Sequence, residues 1–128
     1  MLDHVGLAVA DFDRSKAFFT EVLATLSIVP IKEITAEQTG AGAHIGFGTD
    51  DRAFFWIGTG RPPAGATHVA FVAESRAEVD AFHAAALQAG GTDNGAPGLR
   101  PHYHADYYGA FIYDPDGNNI EAVCRKPA

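Results

Sequence analysis

Asp114-Pro115-Asp116-Gly117-Asn118-Asn119-Ile120-Glu121-Ala122-Val123 reads as an Asp-Pro-Asp-Gly turn launching a short strand whose only charged residue is Glu121. Strand alternation puts Asn119, Glu121 and Val123 on one face, and Ile120, Ala122 and Cys124 on the other. A carboxylate taken out of water without a partner is costly or gives up its charge. Glu121 must therefore be solvated, ion-paired or bound to a cation.

Working outward, residues 67–73 and 108–113 pattern as strands, and a further strand is expected at 99–104 and the last at 119–125. Ser75-Arg76-Ala77-Glu78 is a capping box that opens a helix running to about Ala89, and Gly90-Gly91 stops it. The first half has the same plan. Residues 3–9 alternate as a strand, and Asp11 caps a helix to about Ala24 whose apolar stripe is Phe18, Phe19, Val22 and Leu23. Strands at 31–37, 43–47 and 53–58 follow, then a linker at 58–65 carrying Arg61-Pro62-Pro63.

The halves align through the 64-residue separation of His4 from His68, which also takes Val5 to Val69, Phe18 to Phe82, Leu23 to Leu87, Phe47 to Phe111 and Asp50 to Asp114 without a gap. The expectation is an α+β fold in one domain, residues 1–128. It comprises two tandem βαβββ modules, at about 1–58 and 67–128, joined by a linker at about 59–66. Each module is too small to bury its sheet alone, so the pair should form a shared open-barrel cleft. His4 lies on a face with Gly6 and Ala8, and His68 with Ala70, opposite the apolar faces. The same shift maps Glu121 onto Ile57, which is no ligand. It puts Phe55 and Ile57 on an apolar cavity wall that binds substrate, and turns Trp56 and Cys124 under a helix.

The chain of 128 residues, 47% hydrophobic and 20% charged, has the size and composition of one globular domain. A net charge of −7 with scattered basic residues excludes nucleic acid and anionic membrane surfaces as partners, leaving a small molecule. Cys124 is the single cysteine, so no internal disulfide forms, and no apolar run reaches transmembrane length. Both suit a cytoplasmic protein.

Leu2-Asp3-His4-Val5-Gly6-Leu7, Thr67-His68-Val69-Ala70-Phe71 and the stretch Asp114 to Glu121, in paired βαβββ modules, resemble the vicinal oxygen chelate superfamily over nearly the whole chain. That superfamily holds glyoxalase I, bleomycin-resistance proteins, fosfomycin-resistance enzymes and extradiol dioxygenases. The resemblance implies that His4, His68 and Glu121 occupy metal positions, with Ile57 departing from the glutamate of four-ligand members. Two histidines and one carboxylate leave coordination positions open for substrate oxygens on a divalent ion, Fe, Mn, Ni or Zn. A homodimer is expected, from the family's tight module pairing and from sheet edges that a second chain could cover.

A second cluster, Arg100-Pro101-His102-Tyr103-His104-Ala105-Asp106-Tyr107-Tyr108, supplies candidate chemistry. In an extended conformation His102 and His104 share a face. They and Tyr108 are candidate general acids or bases, while Arg100 and Tyr107 could contact substrate. A solvated loop is the bland reading. His83 is expected on a helix surface, and His44 at a cavity border without a chelating partner. The expected function is a divalent-metal-dependent glyoxalase- or dioxygenase-like enzyme acting on a small substrate with vicinal oxygens. The alternative is a metal-free antibiotic-sequestering protein of the bleomycin-resistance type.

Overall fold

The computed structural model describes residues 1–40, 42–62 and 67–128. Its element order is β1 (Val5–Val9), α1 (Phe12–Ala24), β2 (Val29–Ile34), α2 (Ala36–Thr39), β3 (His44–Thr49), β4 (Arg52–Thr59), β5 (His68–Val72), α3 (Arg76–Gln88), β6 (Thr92–Leu99), β7 (Tyr108–Tyr113) and β8 (Asn119–Cys124). Two four-stranded mixed sheets result, ordered β1-β4-β3-β2 and β5-β8-β7-β6. The α+β class and the tandem modules are as expected, and neither sheet closes into a barrel. Among the described residues, no helix is long and apolar enough to cross a membrane.

Local chemistry sets the helix ends. The Asp11 carboxylate accepts from the Arg14 N–H, and the Ser75 hydroxyl from the Glu78 N–H at 3.2 Å. The Glu78 carboxylate reaches one residue further back than a capping box requires, accepting from the Glu74 N–H at 2.9 Å. At the far end of α3, Gly90 has φ +102° and the Gly91 N–H donates to the Ala86 carbonyl at 2.8 Å. Two expected strands are displaced. The strand expected at 31–37 stops at Ile34, because Thr35 and Gln38 form a reciprocal capping box that opens α2. The strand expected at 99–104 lies instead at Thr92–Leu99, where Gly95 and Pro97 are tolerated because β6 is an edge strand with register shifts. β4 runs to Thr59, so the linker begins later than expected, and its residues 63–66 lie outside the described residues.

The repeat is real but carries an offset. The separation of 64 places α1 on α3. Strand pairing in the first sheet matches Ile45 with Ile57 and Phe47 with Phe55; in the second, Ala110 pairs with Ala122 and Ile112 with Ile120. Equivalent positions of β3 and β4 in β7 and β8 are therefore 65 apart, one residue more than for the helices, whereas β1 and β5 keep the separation of 64. A one-residue slip exchanges the faces of a strand, so Phe55 and Ile57 turn into the core; Phe55 also borders the inter-module cleft and Ile57 a smaller cavity on the first sheet. Both are 0% exposed. Phe55 packs on Phe19 and Phe71 at 5.1 Å each. Trp56 takes the outward place expected of Ile57 and is half-buried. Trp56, not Ile57, is the true counterpart of Glu121.

Helices α1 and α3 pack on one another and on their own sheets, and one apolar cluster includes both modules. The helix-free faces of the sheets are left outward. A cleft of about 460 Å³ lies between the modules, lined by Leu2 to Val5, Arg52 and Phe54 from the first and Val69 to Val72 from the second. Replacing Phe55 by Ala should lower unfolding free energy by about 3–5 kcal/mol, the range for a fully buried phenylalanine. Urea denaturation checks this; a change within about 0.5 kcal/mol, as for an exposed residue, would contradict the burial of Phe55.

Candidate functional site

The turn ahead of β8 is built by one carboxylate. Asp114, 4% exposed, accepts from the backbone N–H groups of Asp116 and Asn118 and from the Asn118 side chain at 2.8–2.9 Å. Burial raises the pKa of its carboxyl, and these hydrogen bonds oppose the shift. This rigid turn sends Ile120, Ala122 and Cys124 into the core and Glu121 to the outer face. Glu121 is nevertheless only 2% exposed.

Its partners come from three directions. β5 runs parallel to β8, with His68 beside Asn119, and the His68 Nδ1 lies 3.0 Å from the Asn119 carbonyl oxygen. A carbonyl only accepts, so Nδ1 carries the hydrogen and Nε2 is turned toward Glu121 Oε1, 3.2 Å away. The Tyr107 hydroxyl donates a hydrogen bond to Glu121 Oε2. Room for that contact exists because residue 109 is glycine: a Cβ there would stand 3.1 Å from the Tyr107 ring and 3.3 Å from Oε2. Burial, then the bond to Glu121, pushes the Tyr107 pKa up to about 12. Phe111, directly opposite Glu121, stacks beside His68 with ring centroids 6.3 Å apart. The resulting cavity, about 650 Å³, is lined by His68, His102, Tyr103, Tyr107, Phe111, Asn119, Glu121 and Arg125.

The loop expected to be extended is folded instead. The Arg100 N–H donates to the Tyr107 carbonyl at 2.7 Å, and the N–H groups of Tyr103 and His104 both turn back to the Arg100 carbonyl. His102 lines the cavity and packs on Tyr103, with ring centroids 4.2 Å apart. His104 does not share its face. The His104 Nδ1 accepts from the Asp106 N–H at 3.1 Å, and its ring is absent from the cavity lining. Tyr108 also departs from its expected role: its hydroxyl donates to Asp80 on α3 at 2.7 Å, on the helix side of the sheet, and that bond raises its pKa. Arg100 donates to the carbonyls of Ala96 and Gly98 at 2.8 Å and lies over Phe111, so its hydrogen-bonding edge is engaged by its own strand. Tyr107, expected as a substrate contact, is first of all the hydrogen-bond donor to Glu121. The alternation Tyr107, Gly109, Phe111 carried that signal in the sequence.

His4 is elsewhere. Its Nδ1 donates to Asp3 Oδ1 at 2.8 Å, Asp3 is held by Arg52 at 2.7 Å, and the ring borders the inter-module cleft. The hydrogen bond from His4, then that from Arg52, lowers the Asp3 pKa. Among the described residues no three His, Cys, Asp or Glu side chains converge as a metal site. His83 pairs with Asp93 at 2.8 Å on the α3 surface. His44 borders a smaller cavity on the first sheet.

Residues 1–122 match the model of a family described as "Glyoxalase/Bleomycin resistance protein/Dioxygenase superfamily". Among solved structures, a glyoxalase/bleomycin resistance protein from Albidiferax ferrireducens T118 is 32% identical over 97% of this chain and 98% of that one, with TM-score 0.81. A glyoxalase/bleomycin resistance protein/dioxygenase family enzyme from Burkholderia phytofirmans PsJN is 19% identical, with TM-score 0.71 and 97% and 98% coverage. A mutant of the fosfomycin resistance protein FosX from Listeria monocytogenes, complexed with Mn(II) and 1S,2S-dihydroxypropylphosphonic acid, is 20% identical over 97% of this chain and 91% of that one, with TM-score 0.69. No curated protein matches the chain.

Replacing Tyr107 by Phe should leave a buried carboxylate oxygen without its donor and destabilise the metal-free protein by about 1–3 kcal/mol, read by urea denaturation. The pH dependence has a defined sign. A tyrosine pKa raised from 10 to about 12 on folding contributes stability that is complete below pH 10 and is lost as pH rises through about 12. In the wild type that loss should appear on alkaline unfolding, and Tyr107→Phe should lack this part of it. Identical alkaline profiles would refute the assignment.

Proposed function

The chain belongs to the glyoxalase/bleomycin resistance protein/dioxygenase superfamily, and from that premise we propose that it is a divalent-metal-dependent, glyoxalase- or dioxygenase-like enzyme. Its substrate is a small molecule that chelates the ion through vicinal oxygens. The observation that carries this reading is the His68–Glu121 pair. With Nδ1–H committed to a carbonyl, Nε2 faces the carboxylate at 3.2 Å, and the two are compatible neighbours only with a second proton or a cation between them. Imidazole and carboxylate suit Fe, Mn, Ni or Zn. A manganese-bearing FosX structure is consistent with such an ion in this fold.

His68 and Glu121 of one chain supply two donors. We assign the third to His4 of a second copy, since His4 is exposed beside β1, an edge strand. The protein is then a homodimer with two centres, each completed in trans. The bound ion would supply Lewis acidity to the chelated oxygens. His102 is the general acid or base in this reading, because it borders the same cavity as Glu121; Tyr107 orients the carboxylate, and Phe111 and Arg125 shape the wall. The metal-free sequestering reading has its own support in that, among the described residues of one chain, no three such donors converge.

Metal content separates the two. Wild type reconstituted with Mn(II) or Fe(II) should retain about one ion per chain, the two-centre dimer expectation, while His4→Ala and Glu121→Ala should each lose it. Mixing the two variants should partly restore binding, because a hybrid dimer holds one intact His4 beside one intact His68–Glu121 pair. Equal metal in wild type and Glu121→Ala would sink the centre, and failed restoration would sink its trans construction. A panel of catechols under oxygen and of 2-oxoaldehydes with thiols then selects the reaction. With an activity in hand, His102→Gln should keep the metal and lose roughly 10²- to 10⁴-fold in turnover.

A further inference from the structure

We infer that the outer face of the first sheet is a subsite for a flat, uncharged ring of the substrate, with Trp56 as its stacking surface and His44 as its hydrogen-bonding edge. The offset of 65 makes Trp56 the counterpart of Glu121, and Gly46 the counterpart of Phe111. Where the second module presents a carboxylate, the first presents an indole. Its seating is enforced by space: a Cβ at Gly46 would stand 2.7 Å from the Trp56 ring, and one at Gly58 would stand 2.4 Å from the His44 ring. Both rings therefore lie across glycines of the neighbouring strand.

Gly46 pairs with Trp56 and His44 with Gly58, so His44 and Trp56 are diagonal neighbours on one face. Together with Gly6, Ala8 and Thr59 they border a cavity of about 260 Å³ that contains no Asp, Glu, Lys or Arg. That is room for one ring rather than a whole substrate. Among the described residues, neither ring nitrogen of His44 has a hydrogen-bond partner, and both rings are half-buried. A free imidazole edge beside an open indole face suits an aromatic or conjugated ring bearing a hydroxyl, carbonyl or amide.

The assignment of this ring to the substrate rests on the metal-centre reading above. His4 lies two residues before Gly6, at most about 7 Å along the chain, and Gly6 is paired with Trp56 across roughly 5 Å. A second copy that delivers His4 to the His68–Glu121 pair therefore brings the Trp56 face beside the same substrate. One end of that substrate chelates and the other stacks.

Trp56 is the only tryptophan in the chain, so its emission reports the subsite directly. Mandelate, hexahydromandelate and lactate carry the same vicinal oxygens with a flat ring, a puckered ring and no ring. Manganese-loaded wild type should bind mandelate about 2- to 10-fold more tightly than hexahydromandelate, the range for an aromatic stacking contact, and mandelate should alter the emission. Calorimetry should show the preference lost in Trp56→Leu and kept in Trp56→Tyr, which guards against a folding defect in the leucine variant. His44→Ala should remove the added affinity of 4-hydroxymandelate over mandelate. Phenol, which cannot chelate, separates the two readings in metal-free protein. An emission response to phenol in a chain that retains no metal would uphold the ring subsite and sink the metal centre. Equal affinities for mandelate and hexahydromandelate, a preference surviving in Trp56→Leu, or no emission response to any ring probe would overturn the subsite.

Discussion

Glu121 holds a carboxylate almost wholly out of water on the outer face of a sheet, and the surrounding residues are arranged to make that tolerable. Removing a charge from solvent is costly unless its lone pairs are engaged. One oxygen takes the Tyr107 hydroxyl and the other faces His68. These contacts in turn need glycine at 109, a tyrosine brought round by the folded loop 100–107, and a histidine ring oriented by the Asn119 carbonyl. The Asp114 turn then acts at a distance, since it sets which face of β8 carries Glu121.

The two modules share strand order and helix position, yet their outer faces differ in chemistry. The second bears His68, Glu121 and Phe111; the first bears Gly6, Gly46, Trp56 and His44. Duplicated architecture with diverged faces gives a polar, charged wall and an aromatic wall from one fold. Both faces point away from the common core, because the helices of the two modules meet there. A single chain thus keeps the two chemistries apart.

Much of this was legible in the residues. Asp11 and Ser75 as caps, Gly90-Gly91 as a stop, the apolar stripe of α1, the duplication and the facing of Glu121 and Cys124 all follow from neighbours in sequence. Capping chemistry and the two strand and helix periods are properties of contiguous residues, which is why they survive without a structure. The short helix α2 and strand β6 were less legible, since a four-residue helix has little periodicity and Gly95 and Pro97 resemble a loop.

What the sequence by itself determined, then, is the order of elements, the tandem plan and the presence of His68 and Glu121 on one face. The tertiary structure alone decided that Trp56 rather than Ile57 is the partner of Glu121 in the repeat, that Tyr107 engages the carboxylate while Tyr108 turns to Asp80, and that His4 stands in a different cavity from His68. The physical reason is register. A single extra residue between helix and strand leaves the residue pattern almost unchanged, yet it exchanges the inward and outward side chains of the strands that follow. Likewise, the hydrogen bonds that close a loop on itself join residues whose meeting no local periodicity encodes.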